Sequence, residues 1–183
     1  ISEKEKAAYE AELLKKEDQH VNTIVIMGAG EPLANYDNVI KFIRLCHEEY
    51  SLAISYRSIT ISTCGLVPEI DQLILEGMPV TLSISLHAPN DEIRSQLMPI
   101  NNRYPMIEVL AAANRYAEET GRQVTYEYIL IADVNDQVHH AKQLVTIMRG
   151  RLANVNLIPV NSVVERGLMR PSNKQIKQFE QIL

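Results

Sequence analysis

Five short runs rich in β-branched residues, at positions 23–27, 58–63, 80–86, 124–131 and 154–159, recur along the chain with helix-length stretches between them. Parallel neighbours need a crossover of about a dozen residues, so this alternation specifies an α/β fold built on a parallel sheet. The intervening segments carry helical signals. Val39, Ile40, Ile43 and Cys46 share one face of a helix over 37–50, and Pro68 and Gly77 bracket a second over 69–76. Asn90 is placed to cap a helix over 91–97, and Gly121 and Gly150 end helices over 105–120 and 137–149. At 183 residues and 46% hydrophobic composition, the whole chain, 1–183, reads as a single domain with room for a sizeable core. No apolar run approaches the roughly 18 residues of a membrane helix. Segment 1–20 reads as a charged helix without the apolar stretch of a secretory signal, so the expected location is cytoplasmic, with no membrane partner.

Residue alternation within the strands says more than their existence. A parallel strand covered on both faces should be apolar throughout. Here Thr81, Ser83, Ser85 and His87 alternate with Val80, Leu82, Ile84 and Leu86, and Ser58, Thr60 and Ser62 alternate with Ile59 and Ile61. Thr125 and Glu127 fall together on the next strand, and Asn154 and Asn156 on the last. One face of the sheet therefore reads as polar throughout, unlike the bulky branched interior of a closed eight-stranded barrel. Two arrangements satisfy this: a wide, open barrel cavity holding a polar ligand, or an open sheet with water on one side.

The net charge of −5 hides a gradient. Residues 142–183 carry seven Lys or Arg against two Asp or Glu, whereas the rest of the chain is acidic. This balance argues against a generic electrostatic nucleic-acid binder but leaves a local patch of Arg149, Arg151, Arg166, Arg170, Lys174 and Lys177, or equally a solvated helix face. Two cysteines, Cys46 and Cys64, are too few for a disulfide framework or a four-ligand metal site. Gly28-Ala29-Gly30-Glu31-Pro32-Leu33 follows the first strand. It fails as a dinucleotide fingerprint, because Leu33 replaces the third glycine and Pro32 spoils the helix start that would receive a pyrophosphate. It does put a carboxylate at a strand's C-terminal end, where Glu31 either pairs with a ligand ammonium or stays a solvated loop glutamate.

The blocks TIVIMGAGEPLANYDNVIKFIRL, ITISTCGLVPEI, SISLHAPNDEIRSQLMPINNRYP, VTYEYILIADVND and NVNLIPVN, in this order across residues 22 to 162, resemble the RlmN and Cfr family of radical SAM RNA methyltransferases. The resemblance implies a partial TIM-like (β/α)6 radical SAM barrel, of which these five parallel strands with covering helices would be strands two to six. The first strand and its C-x-x-x-C-x-x-C loop, which holds a 4Fe-4S cluster by three cysteines, would precede this chain. The Gly-Glu-Pro-Leu form is more similar to the RlmN branch, which methylates carbon 2 of adenine, than to the Cfr branch, which methylates carbon 8.

By position, the resemblance assigns S-adenosylmethionine contacts to Gly30 and Glu31, with the glutamate near the ligand amino group, to Ser62, to Ser85, Leu86 and His87, and to Asn161. Ser62, Ser85 and His87 are also members of the polar face derived from alternation alone. Taken singly, His87 reads equally as a satisfied loop histidine, and Glu127 reads better as a structural hydrogen-bonding residue than as a ligand contact.

The implied substrates are 23S rRNA and, as a second candidate, tRNA, with Arg166 and Arg170 as candidate phosphate contacts and an electron donor such as flavodoxin serving the complete enzyme. In that enzyme the cluster would reduce S-adenosylmethionine to a 5′-deoxyadenosyl radical, which activates a methyl group carried on a C-terminal cysteine. Neither that cysteine nor the cluster loop is in this sequence, and Cys46 and Cys64 match neither role. This chain alone is accordingly expected to ligate no metal, to hold no catalytic residue and to be inactive. Smaller departures are Ala29, where methionine is frequent, and Ser162, where proline commonly follows the asparagine. Competing expectations are a Cfr-type enzyme and a non-catalytic nucleotide- or RNA-binding barrel.

Overall fold

The computed structural model describes residues 5, 6, 8, 9, 12, 13, 21–28 and 30–183, so the helix read over 1–20 lies largely outside the described residues. Strands β1 (Ile24–Ile26), β2 (Ile59–Thr63), β3 (Thr81–Ser85), β4 (Val124–Leu130) and β5 (Ala153–Pro159) form one sheet in that order, each parallel to its neighbours. Helices α1 (Tyr36–His47), α2 (Val67–Leu75), α4 (Met106–Thr120) and α5 (Val138–Met148) run between successive strands, and α3 (Asp91–Leu97) precedes α4 in the same crossover. The sheet is open, with β1 and β5 at its edges. Local chemistry accounts for the helix ends. Asn90 Oδ1 accepts the Ile93 amide at 3.0 Å, and Gly121 closes α4 in the left-handed conformation at φ 64°.

Strand register converts the alternation into rows. Ser62, Ser83, Thr125 and Asn154 pair across β2 to β5, and Ser85, Glu127 and Asn156 form the next row toward the strands' C-terminal ends. The opposite face is the core. Ile59, Ile61, Leu82, Ile84, Tyr126 and Tyr128 are buried there against Ile43, Ile70, Leu73, Val109, Ala113 and Leu144 from the helices. Two details differ from the expectation. The face is not polar throughout, because Val25 pairs with Thr60 and Ile129 with Ile158, which sets apolar residues at its margins. In addition, β3 stops at Ser85, and His87 turns left-handed at φ 58°, so strand alternation does not decide how its ring is placed.

A sixth described helix, α6 (Asn173–Glu180), follows β5 and was not anticipated. Its sequence is polar but for a few residues, yet the Ser172/Gln175 capping box and one fully buried ring, Phe179, fix it. Phe179 packs 5.4 Å from the Tyr128 ring centroid. Phe179→Ala should therefore lower unfolding stability by about 3 kcal/mol, read as a shifted urea midpoint at unchanged slope. A loss under about 1 kcal/mol would mean that α6 is not docked.

Candidate functional site

Glu31 caps the 3-10 turn Pro32–Asn35 that follows β1, with Oε1 accepting the Leu33 amide at 3.0 Å. Its Oε2 reaches across to the exit of β2 and accepts the Cys64 amide at 2.7 Å. The carboxylate is thus neither a solvated loop group nor committed to a cation. It is half-buried and held by two backbone donors, with lone pairs remaining for a third. Just before it, Gly30 takes φ 129°, a conformation that side chains resist, and open space lies where a Cβ would stand. Gly65, closing the Ser-Thr-Cys-Gly block, takes φ 99°, and a Cβ there would lie 2.8 Å from Val109 Cγ1.

Ser62 is buried on β2 and donates to Glu127 Oε2 at 3.4 Å, a long contact that joins two rows of the polar face. Ser85 stands in register with Glu127 at the end of β3, and the buried Ser83 Oγ below it has no hydrogen-bond partner among the described residues. Beyond Ser85 the ladder tightens. The amides of Leu86 and His87 both donate to the Glu127 carbonyl at 3.0 Å, two residues facing one. The Leu86 side chain is fully buried in the core, so only its backbone is available to a ligand. His87 Nδ1 accepts the Ile129 amide at 3.2 Å, which places the proton of the neutral ring on Nε2. Burial first, and then the nearby Arg94 cation, pulls the His87 pKa from 6.5 down to about 4. The ring is therefore a neutral donor at ordinary pH.

Two residues that support this arrangement, Arg94 and Asn135, were missed in the sequence. Arg94, on α3 and wholly buried, donates through Nη2 to the carbonyls of Cys64 at 2.7 Å and Ser85 at 3.3 Å, and through Nη1 to Asn101 Oδ1 at 2.8 Å. Asn135, also wholly buried, donates through Nδ2 to the carbonyls of His87 at 2.8 Å and Ile129 at 2.6 Å. An arginine or asparagine inside a helix or loop looks solvated in sequence, and its burial depends on carbonyls that only the assembled strand ends present.

Asn161 lies two residues past β5, exposed, and no side-chain hydrogen bond among the described residues joins it to this cluster. A short hairpin follows, closed by the Val163–Leu168 bridge and tied to the exit of β4 by Ala132 N to Met169 O at 2.9 Å. Exposed Arg166 and Arg170 therefore sit on the side of the sheet where the strands end. The anticipated basic patch divides. Arg149, Lys174 and Lys177 are exposed, whereas Arg151 is tied to the carbonyls of Ile147 at 2.6 Å and Leu110 at 3.2 Å.

The residues present do not fit an iron–sulfur cluster. Cys46 is buried on α1 and Cys64 stands at the exit of β2, and burial raises both thiols, Cys64 to about 12, away from the thiolate form that ligates metal. Among the described residues no group of three or more His, Cys, Asp or Glu is placed to hold a metal ion, and no helix is long and apolar enough to cross a membrane. Half-buried carboxylates at Glu31 and Glu127, the Ser83 hydroxyl and the space beside Gly30 suit a ligand bearing an ammonium, a sulfonium and hydroxyls.

Residues 2–145 match the Radical SAM superfamily. Among curated relatives, the "Probable dual-specificity RNA methyltransferase RlmN" of Symbiobacterium thermophilum is 54% identical over 166 residues, covering 90% of this chain and 45% of that protein. The protein of the same name from Desulforamulus reducens is 48% identical over 165 residues, covering 90% and 47%. A crystal structure of a radical SAM methyltransferase from Sphaerobacter thermophilus superposes with a TM-score of 0.88 at 47% identity, over 94% of this chain and 51% of that one. A domain of a pyruvate-formate lyase-activating enzyme from Bacteroides vulgatus, at 18% identity and a TM-score of 0.68, shares the fold. The chain spans about half the length of the curated relatives it matches.

The depressed His87 pKa has a stability consequence. Between about pH 6.5 and about pH 4 the unfolded chain binds a proton at this ring that the folded chain refuses, so its contribution is full above that window and is lost as pH falls through it. Urea unfolding at about pH 7 and about pH 4.5 should show the wild type losing more stability than His87→Gln. Equal losses would place the folded-state pKa near its ordinary value.

Proposed function

The chain belongs to the radical SAM superfamily, and on that premise we propose that it is the S-adenosylmethionine-binding core of an RNA methyltransferase acting on carbon 2 of adenine. The observation that carries the reading is the gathering of Glu31, Ser62, Ser85 and His87 at the C-terminal end of one polar sheet face, where α/β enzymes bind their ligands. The RlmN name of the relatives supports an RNA substrate. The Gly-Glu-Pro-Leu block at Gly30 to Leu33 supports carbon 2 over carbon 8. In this reading the substrates are 23S rRNA and tRNA, the setting is the cytoplasm, and a flavodoxin-type protein delivers electrons to a cluster held by a segment other than this chain.

Each residue has a part. Glu31 accepts from the ligand ammonium with its remaining lone pairs, already oriented by the Leu33 and Cys64 amides. Ser62 and Ser85 offer hydroxyls from adjacent strands, the Leu86 backbone borders the ligand, and His87 donates from Nε2 to a ligand acceptor. A neutral imidazole is suited to this place, since an imidazolium would repel a cationic ligand. Gly30 lets the backbone approach, and Asn161 closes the far side from the loop after β5. Bound here, S-adenosylmethionine supplies the methyl group and the radical chemistry of the superfamily. Arg166 and Arg170, on their hairpin at the same end, contact RNA phosphates while an unstacked adenine enters.

The test uses the full-length protein carrying this chain, reconstituted without oxygen. RNA digests should contain 2-methyladenosine, and Glu31→Gln should weaken S-adenosylmethionine binding about 10-fold or more, the effect of losing a charge-assisted hydrogen bond. Arg166→Glu should raise the KM for RNA and leave S-adenosylmethionine affinity unchanged. A product confined to 8-methyladenosine would overturn the carbon-2 assignment, and unchanged affinity in Glu31→Gln would remove Glu31 from the site.

A further inference from the structure

His87 can meet a ligand in only one way if its ring is held in one tautomer, and the hold comes from outside the site. The Asn135 side chain makes three hydrogen bonds in a space closed to solvent: Oδ1 accepts the Ile131 amide at 2.8 Å, and Nδ2 donates to the carbonyls of His87 at 2.8 Å and Ile129 at 2.6 Å. Its own carbonyl accepts the Tyr128 hydroxyl at 2.8 Å, which anchors the residue to the core side of β4. One planar amide thus grips both partners of the bond between Ile129 N and His87 Nδ1. It does so at a non-glycine residue with φ 58°, a conformation that persists only where its surroundings impose it. No other side chain type supplies two donors and an acceptor from so short a stem without bringing charge.

We propose that Asn135 is a positioning residue for the ligand site: it locks the turn after β3 so that His87 Nδ1 always receives the Ile129 amide and Nε2–H alone is offered to a ligand acceptor. The Ile129 amide engages Nδ1, and the His87 side chain is half-buried rather than buried, which leaves the Nε2 edge of the ring within reach of a ligand. The inference deepens the S-adenosylmethionine reading and rests on it for the identity of that ligand, while the clamp itself stands on the chain's own bonds.

The experiment uses the full-length protein with 15N-labelled histidine and S-adenosylmethionine as the probe. In the wild type the His87 ring should show protonated Nε2 and bare Nδ1. Asn135→Ala should introduce the Nδ1–H tautomer and raise the S-adenosylmethionine Kd about 10-fold. A second pair of variants keeps the outcome decisive where Asn135→Ala fails to fold. His87→Gln keeps an amide nitrogen near the Nε2 position and His87→Asn only near the Nδ1 position, so the glutamine variant should lose less S-adenosylmethionine affinity than the asparagine variant, which should lose about 10-fold. An unchanged tautomer in folded Asn135→Ala, or equal affinities for the two His87 variants, would overturn the proposal. Wild type that binds no S-adenosylmethionine would overturn the reading beneath it, with the tautomer spectrum still deciding the clamp.

Discussion

A fully buried guanidinium holds the working end of this sheet together. Parallel strands that stop at the same end leave a row of carbonyls which the next strand does not satisfy, and buried carbonyls without donors are costly. Arg94 answers two of them at once, at Cys64 just past β2 and at Ser85 at the end of β3, while its other terminal nitrogen fastens to Asn101. The Cys64 peptide is bonded on both sides, because its amide donates to Glu31. Asn101 continues outward to Asp91 Oδ1 at 2.9 Å, and Asp91 accepts the Met106 amide at the start of α4 at 2.8 Å. One chain of hydrogen bonds therefore runs from the exit of β1, through β2 and β3, to the helix that covers them. Burial lowers the Arg94 pKa, but an arginine starts high enough to stay charged.

That cation also sets the electrostatics of the cleft. It stands beside His87 and Cys64, opposing protonation of the first, while burial and Glu31 keep the second a thiol. The histidine takes up no second proton at ordinary pH and the cysteine keeps its own, so His87 serves as a neutral hydrogen-bonding group and Cys64 as an uncharged thiol. Such groups suit a reaction whose difficult chemistry belongs to the cofactor and whose protein scaffold supplies geometry. The carboxylates of Glu31 and Glu127 supply negative potential at this end of the sheet, and the exposed arginines of the hairpin after β5 offer positive charge at the same end. Glu31 leaves β1 at the edge opposite the arginines, whereas Glu127 stands on β4, the neighbour of the strand they follow.

The strands were legible because a parallel sheet with one covered face imposes a period of two that no helix mimics. Ser83 and Thr125 in register, and Ser85 beside Glu127, are direct consequences of that period. The helices on the other face were legible from capping residues and glycine stops, as at Asn90 and Gly121. α6 escaped because it is short and strongly polar, its apolar stripe being only Ile176 and Phe179 with Ile182 just beyond, although its Ser172/Gln175 box was present to be read. His87 fell outside the pattern for a different reason: a left-handed residue ends the strand geometry on which face assignment depends.

What the sequence by itself determined was the order and direction of the strands, the polar face, and the residue types gathered along it, because these follow from local periodicity and from blocks similar to a known family. The tertiary structure alone decided which groups are bonded to which. Glu31 is turned toward Cys64, Arg94 and Asn135 are buried rather than solvated, Leu86 is withdrawn into the core, and His87 is held as an Nε2–H donor. Each of these is a contact between segments 30 or more residues apart or a response to carbonyls exposed by strand ends. Such partners come into being only once the strands lie side by side, so no local pattern encodes them.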